Sequence, residues 1–273
     1  MTRYFSVLAA AAMLAGSASP AAAARPLMPV EKWVLDYAET QCIAYRNYGS
    51  SAKPVTLALR ASPNGATYEL LVARRSSAPQ LAEELKGSVD FGSGPIKAWV
   101  LHYGTPGKKL DIYQYRITAA EMGQARGART ALFHAESAAD EAFTLESIPE
   151  LLTGIERCTA NLKEYWNLGG EVDGRIATPA KSANDLRAVF SSDDYPAEAL
   201  SRHQQGTAQY LLLVNEQGAV AGCEVERASG VPVLDVMGCN VIQKRVTYRP
   251  ALDRAGKPAR SVIVTPPVSW VLP

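Results

Sequence analysis

Three histidines, His102, His134 and His203, are the residues of this 273-residue chain best suited to move a proton or bind a metal near neutral pH. They are widely separated and show none of the spacings that hold a metal ion. A surface or packed histidine is therefore the favoured interpretation of each. The adjacent carboxylates Asp193 and Asp194 precede a Tyr-Pro pair, where helix capping explains them better than acid–base chemistry does.

Motifs for nucleophilic catalysis and phosphate binding are missing from the sequence. Ser191 and Ser192 lie outside any G-x-S-x-G motif, and the glycines form neither a P-loop nor G-x-G-x-x-G after a strand. We therefore predict no enzyme activity, no metal and no cofactor. A catalytic or ligand-binding site in the N-terminal part is kept as an alternative. Aromatic residues there could line a binding face, although packing within a sheet is the more common role; they are Tyr45, Tyr48, Trp99, Tyr113 and Tyr115.

The N-terminus predicts export. Arg3 precedes an apolar run of about a dozen residues, and a small-residue stretch ends at Ala22-Ala23-Ala24. A run this short is typical of a cleaved signal peptide, since a spanning helix needs about 20 apolar residues. We predict a signal peptide over 1–24 and a periplasmic location, with an uncleaved inner-membrane anchor as the alternative.

The four cysteines are expected to be structural. Four cysteines allow three pairings, and export favours disulfides over free thiols. Cys223 lies on the apolar face of a predicted strand, and Cys239 flanks the apolar stripe of a predicted helix, so packing of one on the other would join them. We predict Cys223–Cys239 and, by elimination, Cys42–Cys158. No C-x-x-C motif indicates redox activity.

The formal charge is nearly balanced. Lys and Arg number 28, and Asp and Glu number 27. This balance gives no reason to propose nucleic acid or an anionic membrane as a partner.

A strand-rich α+β domain is predicted over residues 25–166. Hairpin patterns flank the turns at 62–65 and 104–109, and further short strands are predicted at 131–134 and 142–145. Capping boxes at Thr118 and Ser147 predict two helix starts. The second helix should bury one face, which comprises Ile148, Leu151, Leu152, Ile155, Cys158 and Leu162.

A linker is predicted over 167–184, because the apolar pattern gives way there to Gly-Gly and Asp-Gly pairs.

The C-terminal domain, 185–273, is predicted to form a β-β-α-β unit. Its first strand, 210–214, is apolar on both faces. Its second buries Ala221, Cys223 and Val225 and turns Glu224 and Glu226 the other way. A helix after Pro232 carries an apolar stripe of Leu234, Met237, Val241, Ile242 and Val246.

The order of motifs in this last third of the chain resembles the C-terminal domain of the TonB energy-transducer family. Members open with a Tyr-Pro helix, carry a glycine before the first strand, and place an aromatic-Arg-Pro motif after the main helix. The resemblance rests on the order and spacing of these motifs rather than on any single one. The matching residues are Tyr195, Pro196, Gly206, Gly218, Tyr248, Arg249 and Pro250.

The resemblance implies a partner and a mode of binding. In family members this domain lies in the periplasm and adds a short extended segment of an outer-membrane transporter to its sheet edge, mostly at the last strand. Because Pro266 and Pro267 remove two backbone donors, pairing should be confined to five residues. These are Ser261, Val262, Ile263, Val264 and Thr265.

One departure from the family leaves an alternative open. No segment of this sequence repeats Pro with Glu or Lys, as the spacer of a working transducer does. The alternative is an envelope structural or interaction protein that keeps the fold without energy transduction. The oligomeric state is not predicted.

Overall fold

The computed structural model describes residues 25–76, 82–105, 109–136, 138 and 140–272. The predicted signal peptide, 1–24, lies outside the described residues. A large antiparallel sheet is followed by a smaller C-terminal unit of strands and helices, so the α+β fold class is confirmed. The strands of the large sheet are β1 (Val34–Tyr37), β2 (Cys42–Ser50), β3 (Lys53–Ala61), β4 (Thr67–Arg75), β5 (Glu83–Asp90), β6 (Pro95–Thr105), β7 (Leu110–Thr118), β8 (Thr130–Ala135) and β9 (Glu141–Thr144).

A short segment, 27–30, closes the large sheet into a barrel. The strand order is β1-β2-β3-β4-β7-β6-β5-β8-β9, which leaves β2 and β9 near opposite ends. The Leu27 N–H donates to the Ala142 carbonyl of β9 at 2.7 Å, and the Gly49 N–H of β2 donates to the Met28 carbonyl at 2.9 Å. Because one segment bonds to both β2 and β9, it connects the two ends of the sheet.

The barrel interior is a packed apolar core. Tyr48, Phe133 and Phe143 are fully buried, and their rings meet edge to face with centroids 5.0 and 5.5 Å apart. Burying each such side chain contributes roughly 1.5–3 kcal/mol. The interior void beside Phe133 measures about 10 Å³, which is too small for a ligand. The alternative of a ligand site inside the N-terminal domain gains no support here.

Two helices pack on the barrel. α1 (Ala119–Met122) begins at Thr118 with the predicted capping box, and a 3-10 turn, Gly123–Gly127, follows it. α2 (Ile148–Tyr165) buries every position of its predicted apolar face. The capping box predicted at Ser147 is wrong: this residue has φ 58° and makes no side-chain cap, because the left-handed backbone turns its hydroxyl away from the first turn.

The C-terminal sheet is built around one long strand. β12 (Gly206–Val214) pairs with β13 (Val220–Arg227) on one side. On the other side it pairs with β17 (Ser261–Val264) and then with β18 (Val268–Trp270). Tyr210 and Leu212 pack with the helix on one face, and Leu211 and Leu213 pack on the other face. The prediction that both faces of this strand are apolar is confirmed.

Two helices accompany that sheet. α3 (Ala197–Ser201) follows Pro196, and α4 (Pro232–Arg245) packs on β12 and β13. Gly238 permits the close packing of α4, because a Cβ there would lie 1.8 Å from the Tyr210 hydroxyl oxygen. The prediction for Ala221 is wrong: a bulge after Val220 places Val220 in the core and leaves Ala221 exposed.

Residues 167–184, predicted as a linker, contain two short strands that pair with the C-terminal unit. β10 (Ile176–Thr178) pairs with β15 (Ala251–Asp253), which also pairs with β16 (Pro258–Ala259). β11 (Lys181–Ser182) pairs with β14 (Tyr248–Arg249). The segment is thus bonded to the chain that follows α4.

Two disulfides join the predicted cysteine pairs. Cys42–Cys158 connects β2 to α2, and Cys223–Cys239 connects β13 to α4. The first disulfide lies in the apolar cluster that docks the two domains, next to Leu211. It therefore supports the surface on which the C-terminal sheet rests.

Candidate functional site: an open strand edge and an interdomain cleft

The predicted binding strand, β17, forms an open edge of the C-terminal sheet. The sheet order is β13-β12-β17, and within the described part of the chain no strand pairs with the outer side of β17. The Thr265 N–H donates to the Tyr210 carbonyl at 2.9 Å. Because hydrogen-bonded pairs alternate along antiparallel strands, residues 261, 263 and 265 bond to β12. The main-chain groups of Val262 and Val264 therefore point outward.

The side chains of this strand differ in their surroundings. Ser261 and Thr265 are buried, and the Thr265 hydroxyl accepts a bond from the Tyr210 N–H at 3.1 Å. Ile263 packs in the core beneath α4, whereas Val262 packs against the cluster around Trp166. Val264 is 50% exposed. Of the five predicted residues, Val262 and Val264 offer main-chain groups to a partner, and the other three hold the strand in place.

The two prolines separate β17 from β18. Pairing with β12 stops at Val264 in the first strand and resumes at Val268 in the second. The open edge of β17 therefore ends before Pro266. Arg260 precedes it and stacks on the Tyr165 ring, with its guanidinium carbon 3.9 Å from the ring centroid.

The family-motif residues form the frame around the sheet rather than its open edge. The Tyr195 hydroxyl donates to the Gln204 carbonyl at 2.5 Å, and its ring meets Trp270 edge to face. Pro196 precedes α3, and Arg249 and Pro250 lie at and after β14. A Cβ at Gly206 would lie 2.6 Å from the Ser229 carbonyl oxygen, and Gly218 contacts Tyr248.

A cleft lies on the opposite side of the sheet, between β13, α4 and the outer wall of the barrel. Its volume is about 730 Å³, within the range of roughly 300–1,000 Å³ that is typical of small-molecule sites. Trp99 and Leu101 of β6 line the barrel wall, and Val236 and Met237 of α4 line the facing wall. Of the aromatic residues that the sequence offered for a binding face, Trp99 lines this cleft. The facing wall comes from a distant segment, so the sequence pattern did not show the cleft itself.

Charged groups cluster within the cleft. The Arg60 guanidinium binds Glu69 of β4 and reaches Glu224 of β13 at 3.3 Å. The Arg116 guanidinium donates to the Val225 carbonyl. Burial raises the pKa of Glu224, and the Arg60 charge opposes that shift. These contacts join the barrel to β13 directly.

Two of the three histidines, His102 and His134, are paired with carboxylates, and His203 lies exposed just after α3. His102 is buried near one end of the barrel and stacks on Tyr113, with its ring nitrogens 2.7 Å from Glu83 and 2.5 Å from Asp111. His134 lies 2.7 Å from Asp140. Among the described residues, no cluster of His, Cys, Asp and Glu could hold a metal ion. Within the same described ranges, no helix has both the length and the apolarity to cross a membrane.

Asp194 has a role that the sequence did not show. It closes the turn that begins at Ser191, and it also accepts two bonds from the Arg245 guanidinium at 2.6 and 2.8 Å. These bonds hold the pKa of Asp194 below its usual value. The predicted capping role is thus found in a 3-10 turn before α3, together with an ion pair to the end of α4.

The C-terminal part of the chain matches a known protein family. Residues 191–272 match the family model described as Gram-negative bacterial TonB protein C-terminal, the family that the motifs of the sequence indicated. That family is one of interaction domains rather than enzymes. No curated protein and no solved structure gives a significant match to the chain.

Proposed function

We propose that this is a TonB-like protein of the periplasm, which binds an envelope protein by accepting an extended strand at β17. A single observation carries the proposal: β17 is an edge strand whose Val262 and Val264 main-chain groups point away from β12. An added strand would satisfy these groups. The match of residues 191–272 to the TonB C-terminal family supports an outer-membrane transporter as the partner.

The edge restricts how a partner is recognised. Only four residues form β17, and Pro266-Pro267 follow soon after, so a partner gains few main-chain bonds. Val264 is half exposed, and Arg260 adds a charge at the entry. We therefore expect the partner segment to be short and extended.

The test removes the outward-pointing N–H of Val264 and leaves the bonds between β17 and β12 in place. Val264→Pro removes an N–H that does not bond to β12, and Val264→Ala shortens the same side chain but keeps the N–H. A photo-crosslinking residue at the exposed position 267, just past β17, should capture a partner in cells in the parent and in Val264→Ala, and much less of it in Val264→Pro. Equal capture by all three proteins contradicts strand addition.

The identity of the captured protein separates the two candidate roles. Capture of an outer-membrane transporter supports transport-linked function. Reproducible capture of a different envelope protein favours the interaction role without energy transduction. This second role is favoured by Pro266 and Pro267, which remove two backbone donors directly after β17.

The periplasmic location has its own test. Fractionation of cells followed by N-terminal sequencing of the purified protein should give a start near Arg25 in the periplasmic fraction. A protein that retains residues 1–24 and sediments with the inner membrane would support the anchored alternative.

A further inference from the structure

The interdomain cleft is independent of the β17 edge. β13 and β17 lie on opposite sides of β12, so a molecule in the cleft does not occupy the predicted strand-binding edge. Both domains supply its walls, and the Arg60–Glu224 ion pair and the Arg116–Val225 bond connect those walls. The cleft is thus a part of the molecule that the function proposed for β17 does not use.

Its side walls are apolar and accessible. Trp99 is 55% exposed and Val236 is 44% exposed, and both line the cleft. Leu101 and Met237 continue the same walls. Apolar surface of this kind, held open on two facing elements, gains stability when a ligand removes it from water.

Carboxylates outnumber guanidinium groups along the cleft lining, and one of them, Glu198, also pairs with Arg202 at 3.2 Å. Its described lining includes four carboxylates and two guanidinium groups. Both guanidinium groups are engaged, since Arg60 binds Glu69 and Glu224 while Arg116 donates to the Val225 carbonyl. The carboxylates are Glu69, Glu198, Glu224 and Asp235.

Burial disfavours the ionised form of three of these carboxylates. It raises the pKa of Glu224, of Glu198 and of Asp235, although Asp235 already accepts a bond from the Ser229 N–H at 2.9 Å. A positively charged ligand group near Glu224 would offset this cost. The exposed Trp99 ring adds a surface that also attracts cations.

The main chain of β13 adds a polar edge to the cleft. Residues 261, 263 and 265 of the β17 side bond to Val214, Leu212 and Tyr210, in that order. Because bonding sides alternate along a strand, the main-chain groups of Leu211 and Leu213 bond to β13. The groups of Cys223 and Val225 then point away from β12, and the Val225 carbonyl indeed accepts the Arg116 bond. The Cys223 groups are directed toward the cleft, where they can orient a polar ligand.

We propose that this cleft binds a small molecule with an apolar body and one positively charged group. The apolar body lies between Trp99 and Val236, and the charged group lies toward Glu224. The occupant is a small molecule rather than a protein segment, because the cleft is bounded by the barrel on one side and α4 on the other. The proposal does not depend on strand addition at β17.

The test uses three probes that share one alkyl chain and differ in the charge of the head group. Octyltrimethylammonium, octyl glucoside and octyl sulfate are titrated below their micelle concentrations into the full mature chain, with calorimetry and tryptophan fluorescence as readouts. The cation should bind about tenfold more tightly than the neutral probe, and the anion should bind more weakly than both. Equal binding of the three probes, or no binding of the cation, overturns the proposal.

Variants locate the site. Trp99→Ala should weaken cation binding about tenfold, whereas Tyr37→Ala, an equally exposed aromatic on β1 at 56%, should leave it unchanged. Glu224→Gln should abolish the preference for the cation over the neutral probe. Since Glu224 also pairs with Arg60, Val236→Ser provides a second test at an exposed position, with weaker binding of both probes expected. Unchanged binding in Trp99→Ala and Val236→Ser would show that the cation binds elsewhere.

Discussion

The Tyr248 N–H donates to the carbonyl oxygen of Gly218 at 2.8 Å, which joins the turn after β12 to the strand after α4. Both residues are among those predicted from the sequence to match the family's motifs, and both lie within the matched range 191–272. Gly218 has φ 80°, and a Cβ at this position would lie 1.8 Å from the Tyr248 carbonyl oxygen. Only glycine fits at position 218, because the positive φ disfavours other residues and the close approach of Tyr248 leaves no room for a side chain.

Gly218→Ala should destabilise the protein more than a comparable turn substitution. Gly256 also has positive φ, at 73°, but a Cβ added to Gly256 would meet no atom within 4 Å. Gly256→Ala should therefore cost about 1 kcal/mol from the backbone alone. Gly218→Ala should cost at least about 2 kcal/mol, because the clash adds to that term. Denaturant unfolding of both variants measures the difference, and equal losses would contradict a close approach at Tyr248.

The two disulfides should contribute unequally to stability. Their cysteines are 116 and 16 residues apart. On the chain-entropy model, closing a 15-residue loop contributes about 3 kcal/mol and closing a 100-residue loop about 4.7 kcal/mol. Replacing both Cys42 and Cys158 with Ala should therefore destabilise more than replacing both Cys223 and Cys239. Urea unfolding under non-reducing conditions gives the two values, and the reverse order would show that local strain or denatured-state structure outweighs loop length.

Docking of the barrel on the C-terminal sheet should depend on Leu162. This residue is 6% exposed on α2 and packs in the cluster that contains Leu211, Leu213 and Trp166. Leu162→Ala should lower the free energy of unfolding by about 2–4 kcal/mol, because it leaves a cavity at the junction. Val172→Ala, at a 94% exposed position, should change it by less than about 0.5 kcal/mol. A loss near zero for Leu162→Ala would mean that the two domains are not packed together in solution.

Elements with a strong period could be predicted from the sequence. Every predicted apolar position of α2 is buried, and β12 is apolar on both faces because α4 covers one and α2 the other. The sequence pattern did not predict elements that are formed by only a few residues. Residues 27–30 close the barrel through isolated bridges, and a segment that makes so few bonds leaves no alternation to detect.

The parts of the site that escaped prediction depend on distant pairs. Trp99 and Val236 face one cleft although they belong to different domains, and Glu224 meets Arg60 across the same boundary. The alternation of β13 did predict that Glu224 turns away from the apolar face. It could not show that a barrel arginine lies there, since local patterns carry no information on how domains dock.

Asp194 should make stability depend on pH. Bonds from the Arg245 guanidinium lower the pKa of Asp194 in the folded protein, and Asp194 is 7% exposed. A carboxyl whose pKa is lowered in the folded state stabilises the folded protein at pH values above its unfolded pKa of about 3.9. This contribution is lost as the pH falls through the folded pKa. Asp194→Asn should therefore reduce the free energy of unfolding most at pH values above about 5, and the gap to the parent should shrink at lower pH. Asp193→Asn is the matched control, because the Asp193 carboxylate is exposed and makes no bond to Arg245 among the described contacts. Urea unfolding across this pH range measures the effect, and a gap that stays constant down to acid pH would show that Asp194 acts through its turn hydrogen bonds rather than through its charge.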